Sequence, residues 1–112
     1  MGKIIFTILP LFVVVIAKAQ DDQSIVAKGN ELYKKQQFEQ AAEEYRKAAD
    51  LNTKNAIAQY NLGDALYKLK KTEAAEKAFT EAAGNSKDET AKSKALYNKG
   101  VTLSSKKNYW KV

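Results

Sequence analysis

Cysteine and histidine are both absent from the 112 residues, and proline and tryptophan occur once each. Without cysteine, an exported domain made from this chain must hold together by packing alone, and tethering through a lipidated N-terminal cysteine is excluded. With histidine missing as well, the usual zinc ligands and the commonest general base are gone. No metal or other cofactor is expected, and neither is enzymatic activity. The neighbouring carboxylates Glu43 and Glu44 do not rescue a catalytic reading, because adjacent residues on a helix point about 100° apart and do not converge on a substrate. Their expected part is to solvate the outer face of a helix.

Long apolar runs are also scarce. The single one spans Ile4 to Ala17, contains the only proline, Pro10, follows Lys3 and precedes Ala17-Lys18-Ala19, Gln20 and the acidic pair Asp21-Asp22. A basic start, an apolar middle and an A-x-A site form the order of a secretory signal peptide. As a helix the run would rise ~21 Å, short of the ~30 Å hydrocarbon core of a bilayer. Residues 1–19 are therefore expected to be a signal peptide, with an N-terminal anchor as the alternative that Lys18 keeps open. The mature chain is expected to start at or just after Gln20, in the periplasm or on the outer side of the cytoplasmic membrane.

Formal charge is +6, but Lys3 and Lys18 belong to the leader, which leaves 17 basic against 13 acidic groups. The excess is local. Residues 20–86 hold 10 Lys/Arg against 11 Asp/Glu, whereas residues 87–112 hold 7 against 2. Basic character is a property of the C-terminal quarter.

What is present is repetition. Gly29-Asn-Glu-Leu-Tyr-Lys34 returns as Gly63-Asp-Ala-Leu-Tyr-Lys68, an offset of 34 residues, and eight of the 21 positions from 29 to 49 match those from 63 to 83. Tyr60-Asn-Leu-Gly63 reappears as Tyr97-Asn-Lys-Gly100, 37 residues on, which is the same period with three residues inserted. A period in this range marks stacked helical units. Within the second unit Leu62, Gly63, Leu66 and Leu69 keep one helical face apolar, and Ala74, Ala75, Ala78, Phe79 and Ala82 do so again after Lys70-Lys71-Thr72. The first unit has Ile25, Gly29 and Leu32, then Ala41, Ala42, Tyr45 and Ala48. Helices are predicted over roughly 23–36, 39–52, 56–69, 73–84 and 91–105, with a sixth beginning near 108. The polar stretch 84–92 is predicted to be a longer, exposed loop that absorbs the insertion.

Glycine inside a helix costs ~1 kcal/mol relative to alanine, so Gly29, Gly63 and Gly100 at one phase call for a reason. Room for a close partner helix is the one available, with Ala41 and Ala75 as the small facing residues.

On these residues the chain resembles the tetratricopeptide repeat, whose 34-residue helix-turn-helix carries Leu-Gly, Tyr, Ala, an aromatic and Ala at fixed positions. With glycine as position eight, the units span 22–55, 56–89 and 93–112, the last incomplete. Thr53, Gln59 and Thr72 depart from the pattern, standing where a proline, a large residue and an aromatic belong. The resemblance implies an all-α fold of about two and a half repeats stacked as a short right-handed superhelix. More narrowly, Lys28-Gly-Asn-Glu-Leu-Tyr-Lys34, Tyr45-Arg-Lys-Ala48 and the Tyr60 to Tyr67 segment resemble the exported tetratricopeptide protein of the bacterial aerotolerance (Bat) operon. That likeness implies a non-catalytic partner of von Willebrand factor A-type membrane proteins.

The family pattern also implies which positions line the concave surface, where extended peptides lie. These are Val26, Asn30, Tyr33 and Lys34; Tyr60, Asn61, Asp64, Tyr67 and Lys68; and Lys94, Tyr97, Asn98 and Val101. Some members grip a C-terminal carboxylate with a five-residue clamp. Asn30, Asn61 and Lys94 match it, but Val26 and Asn98 stand where a lysine and an arginine belong. Two of three cations are missing, and the expectation is that Asn30 and Asn61 simply follow the repeat consensus. Tyr45 is expected to be a packing residue.

The main expectation is a protein-binding scaffold of the cell envelope. The alternative is a binder of anionic envelope polymer or membrane headgroups through Lys87, Lys92, Lys94, Lys99, Lys106, Lys107 and Lys111; nucleic acid is not expected of an exported protein. The chain ends at Tyr109-Trp110-Lys111-Val112, inside what the period makes the second helix of a third unit. Half a unit cannot bury its apolar face, so the natural chain is expected to continue beyond Val112 or, if it ends there, to self-associate through Leu103, Tyr109, Trp110 and Val112.

Overall fold

The computed structural model describes residues 2–5 and 21–108. The expected leader, apart from residues 2–5, and the expected start of a sixth helix beyond 108 lie outside them. Among the described residues five helices follow one another: α1 (Asp22–Lys34), α2 (Phe38–Leu51), α3 (Ala56–Lys68), α4 (Thr72–Asn85) and α5 (Glu89–Asn108). Each packs on the next in sequence, and links of three or four residues leave consecutive helices antiparallel. The chain is an all-α stack of helix pairs.

Local chemistry starts and stops these helices. Asp21 caps α1 by accepting from the Ser24 N–H at 2.7 Å, and Asn55 caps α3 by accepting from the Ala58 N–H at 2.9 Å. The turns inside each pair are the same Schellman closure. Gln36 and Lys70 both take φ 60°. Gln36 N–H returns to the Tyr33 carbonyl and Gln37 N–H to Leu32, while Lys70 and Lys71 return to Tyr67 and Leu66, all at 2.9 Å. Neither residue is glycine, so both turns carry left-handed strain.

Ten of the 16 buried apolar residues among those described are alanine, which lets the helices approach closely and concentrates the burial energy in a few large groups. Tyr45 and Phe79 are the largest apolar side chains in full burial, each worth ~1.5–3 kcal/mol. Here the glycines find their partner, and it is not the one expected. A Cβ on Gly29 would fall 2.5 Å from the Tyr45 ring, and one on Gly63 would fall 2.6 Å from the Phe79 ring. The aromatic of the paired helix, rather than Ala41 or Ala75, fills the space. Gly100 has nothing within 4 Å of such a Cβ among the described residues.

The loop predicted over 84–92 shrinks to Ser86-Lys87-Asp88. Asp88 accepts from the Thr90 N–H at 3.0 Å and its carbonyl takes the Lys92 N–H, so it starts a helix; the three extra residues lengthen α5 by a turn. At its other end α5 runs through Asn108 where the period predicts a break, with Lys106 reaching Glu73 of α4 at 3.1 Å. Two departures from the repeat pattern compensate one another. Gln59 is buried, donates to the Thr53 carbonyl at 2.8 Å and accepts from Asn85 at 3.0 Å. Glu44 does not solvate an outer face: it is buried between Lys47 at 3.0 Å and Lys28 of α1 at 3.5 Å. Burial works to raise its pKa, but the two lysines override that and hold the carboxyl below its ordinary 4.5.

Candidate functional site

The first helices of the units, α1, α3 and α5, meet along one side through polar side chains. Asn61 of α3 donates to Asn30 Oδ1 of α1 at 3.3 Å, and Asn98 of α5 donates to Asp64 Oδ1 of α3 at 3.3 Å. These two contacts are one interaction repeated a unit apart, because Asn61 and Asn98 hold position six while Asn30 and Asp64 hold position nine. Asn98 also donates to the Tyr60 hydroxyl at 2.7 Å.

Beneath position nine the two units differ. Tyr45, lying over Gly29, donates its hydroxyl to Asn30 Oδ1 at 2.7 Å. Phe79, lying over Gly63, occupies the same place with no hydroxyl. Asn30 thus accepts two hydrogen bonds on one oxygen, whereas the Asp64 carboxylate accepts one long bond from Asn98. The ion pairs among the described residues are Lys28–Glu44, Lys34–Glu31, Lys47–Glu44 and Lys106–Glu73; Asp64 is in none of them.

Burial sets the electrostatics. The Asp64 carboxyl is pushed up to about 6, with Lys68 pulling the other way. Burial pushes the Tyr45 hydroxyl to about 12, helped by Tyr33 and Asp64. Tyr33 and Tyr60 are raised as well, first by burial and then by Asp64. The three phenols stay protonated at neutral pH, yet the Tyr45 O–H is committed to Asn30 and Asp64 accepts from Asn98 rather than from a phenol.

The expected lining residues separate into groups. Asn30, Tyr33, Tyr60, Asn61, Asp64 and Asn98 come together in the groove, with Tyr33 edge-on to Phe38 at 5.1 Å and Tyr60 edge-on to Phe79 at 5.7 Å. Asp64, Tyr67, Lys68, Asn98 and Val101 enclose a cleft of about 200 Å³ floored by Phe79 and Thr102. Tyr97, 72% exposed, stands apart with Leu96, Gly100 and Tyr67 around a shallower depression on the free face of α5. Lys94 lies with Ile57, Tyr60 and Ser86 near the start of α5. Lys34 is exposed and pairs with Glu31 at 3.3 Å. Val26 is buried in the core rather than presented on the groove. Tyr45 was missed as a groove residue: its ring is core, as expected, but its hydroxyl orders Asn30. The signal was its polar tip at a position where the second unit has phenylalanine.

Among the described residues no helix is long and apolar enough to cross a membrane. Comparison with curated proteins returns no match. Two protein-family profiles do match, one described as TPR repeat over residues 29–70 and one described as Tetratricopeptide repeat over residues 56–89. Together they run unbroken from the second half of α1 across α2, α3 and α4, and the glycine-on-aromatic packing recurs inside them at the 34-residue spacing. The chain is a tetratricopeptide repeat protein.

Proposed function

We propose that this chain is a non-catalytic interaction module that holds an extended segment of a partner protein along the groove formed by α1, α3 and α5. Tetratricopeptide repeats commonly mediate protein–protein interaction. The observation that carries the reading is the file of amides and phenols, Asn30, Tyr60, Asn61 and Asn98, held in place by hydrogen bonds, with Tyr33 set beside them on Phe38. Such a file can donate to and accept from a peptide backbone while its rings pack against side chains. The leader-like sequence of residues 1–19 supports a place in the cell envelope, and the likeness to the aerotolerance-operon protein makes von Willebrand factor A-type membrane proteins the partners to try first.

Site-specific photocrosslinking tests this. A crosslinker at Asn61 or Tyr33 should give discrete adducts in intact cells, and one at exposed Glu43 on α2 should not. Equal labelling from both faces, or adducts that vanish in moderate salt, would instead favour the lysine-rich C-terminal quarter as a binder of anionic polymer or headgroups.

A further inference from the structure

We infer that the cleft at Asp64 receives a lysine or arginine side chain of the bound partner segment, so that the groove reads a basic residue at one fixed place. The inference rests on the peptide-groove reading and names the chemistry of its occupant.

Four observations carry it. Asp64 sits where Asn30 sits one unit earlier, yet lacks the hydroxyl that Tyr45 supplies to Asn30, because Phe79 stands at that place. The carboxylate accepts only the long Asn98 bond and joins no ion pair among the described residues. The cleft around it holds about 200 Å³, roughly the room of six or seven waters at ~30 Å³ each, which suits one long side chain. Its walls match such a chain: Val101, Tyr67 and the Phe79 ring would flank an aliphatic stem, while Asp64 would meet a cationic head. Lys68 lines the same cleft, exposed and in no ion pair with the carboxylate, so an incoming cation has no pairing to displace at Asp64. A half-buried carboxylate without a cation is a costly arrangement for the folded chain alone, and a partner's cation removes that cost.

Bulk electrostatics work against the same outcome. The positive excess lies in residues 87–112, 7 basic against 2 acidic groups, so that end of the groove repels basic peptides unless a local site holds them. That makes selection informative. The full chain is panned against a random displayed heptapeptide library, and the selected peptides are remade with norleucine in place of each lysine, which keeps the stem and removes the charge. The expected result is lysine or arginine at one position, with norleucine there weakening binding about tenfold or more, the size of a charge-assisted hydrogen bond. Asp64→Asn should erase the difference. Phe79→Tyr, which gives the carboxylate the donor that Asn30 enjoys, should shrink it while leaving the helices intact. Selected peptides without a basic preference, or a norleucine penalty that survives Asp64→Asn, overturn the inference and leave the groove reading standing. A library that yields no binders overturns the groove reading and the inference with it.

Discussion

Replacing Asp64 by asparagine is expected to stabilise the protein at neutral pH and to do nothing in acid. Burial moves this carboxyl from its ordinary 3.8 to about 6. At about 1.4 kcal/mol per pH unit, the charged form costs the fold at most ~3 kcal/mol, and because the carboxylate keeps a solvent-facing side, screening reduces this to about 1–2 kcal/mol. The sign follows from proton binding. Between about 3.8 and 6 the folded state holds a proton that the unfolded state has lost, so this group's contribution falls as pH rises through that window. Above it the penalty is fully developed; below it both states are neutral. The phenols near Asp64 do not blur the window, since Tyr33, Tyr45 and Tyr60 are raised above their ordinary 10.0 and stay neutral. Asparagine keeps the acceptor that Asn98 uses. Urea unfolding followed by far-UV circular dichroism, on wild type and Asp64→Asn across this range, should show the variant ahead by about 1–2 kcal/mol near neutrality, with the gap closing as pH falls towards 4. A gap that is constant with pH, or a wild type that is the more stable at neutral pH, would refute the claim that an unpaired, partly buried charge sits in the groove.

Four other substitutions probe packing, turns and a buried ion pair. Gly63→Ala should cost about 1–2 kcal/mol, because overpacking against the buried Phe79 ring outweighs the gain in helix propensity, whereas Gly100→Ala, with nothing over it among the described residues, should gain up to ~1 kcal/mol; thermal melts separate the two. Lys70→Gly should raise stability by about 1 kcal/mol, since φ 60° strains lysine and suits glycine, and its denaturation midpoint should rise accordingly. Glu44→Gln should lose at most about 1 kcal/mol at neutral pH, the lysine partners being exposed. The Glu44 pKa is depressed, so that loss should be present above the ordinary 4.5 and fade as wild type is acidified through its lower folded value; unfolding at two pH values checks it.

The 34-residue echo made the helix pairs legible because glycine, leucine, tyrosine and alanine recur where packing needs them. It misjudged what packing needed. Ala41 and Ala75 are the small residues a reader reaches for, but what lies over Gly29 and Gly63 is an aromatic 16 positions on, and that pairing needs the crossing of the two helices to be known. The left-handed turns at Gln36 and Lys70 were invisible, since neither residue advertises positive φ. The loop over 84–92 looked long because its residues are polar, yet Asp88 at its end is a helix starter and turns the rest into α5. Glu44 looked like surface because its neighbour Glu43 is; only the approach of α1 brings Lys28 across to it. In each case composition named a tendency and a contact from a distant part of the chain decided the outcome.

The groove illustrates why the departures between units matter more for recognition than the shared pattern. Residues that recur, such as Gly29 and Gly63, serve the crossing of helices and say nothing about a partner. The long amide bond from position six to position nine recurs too, at 3.3 Å in both instances. What differs is a correlated pair: asparagine with tyrosine in the first unit, aspartate with phenylalanine in the second. The first pair closes on itself, as the Tyr45 hydroxyl satisfies Asn30 within the protein. In the second pair a charge is gained and the donor beneath it is lost, and both changes push towards a group supplied from outside. Had only one occurred, the site would be ordinary: asparagine over phenylalanine is a mild loss of one neutral hydrogen bond, and aspartate over tyrosine is a satisfied carboxylate. Together they leave an acceptor whose missing partner must carry positive charge to be worth its desolvation.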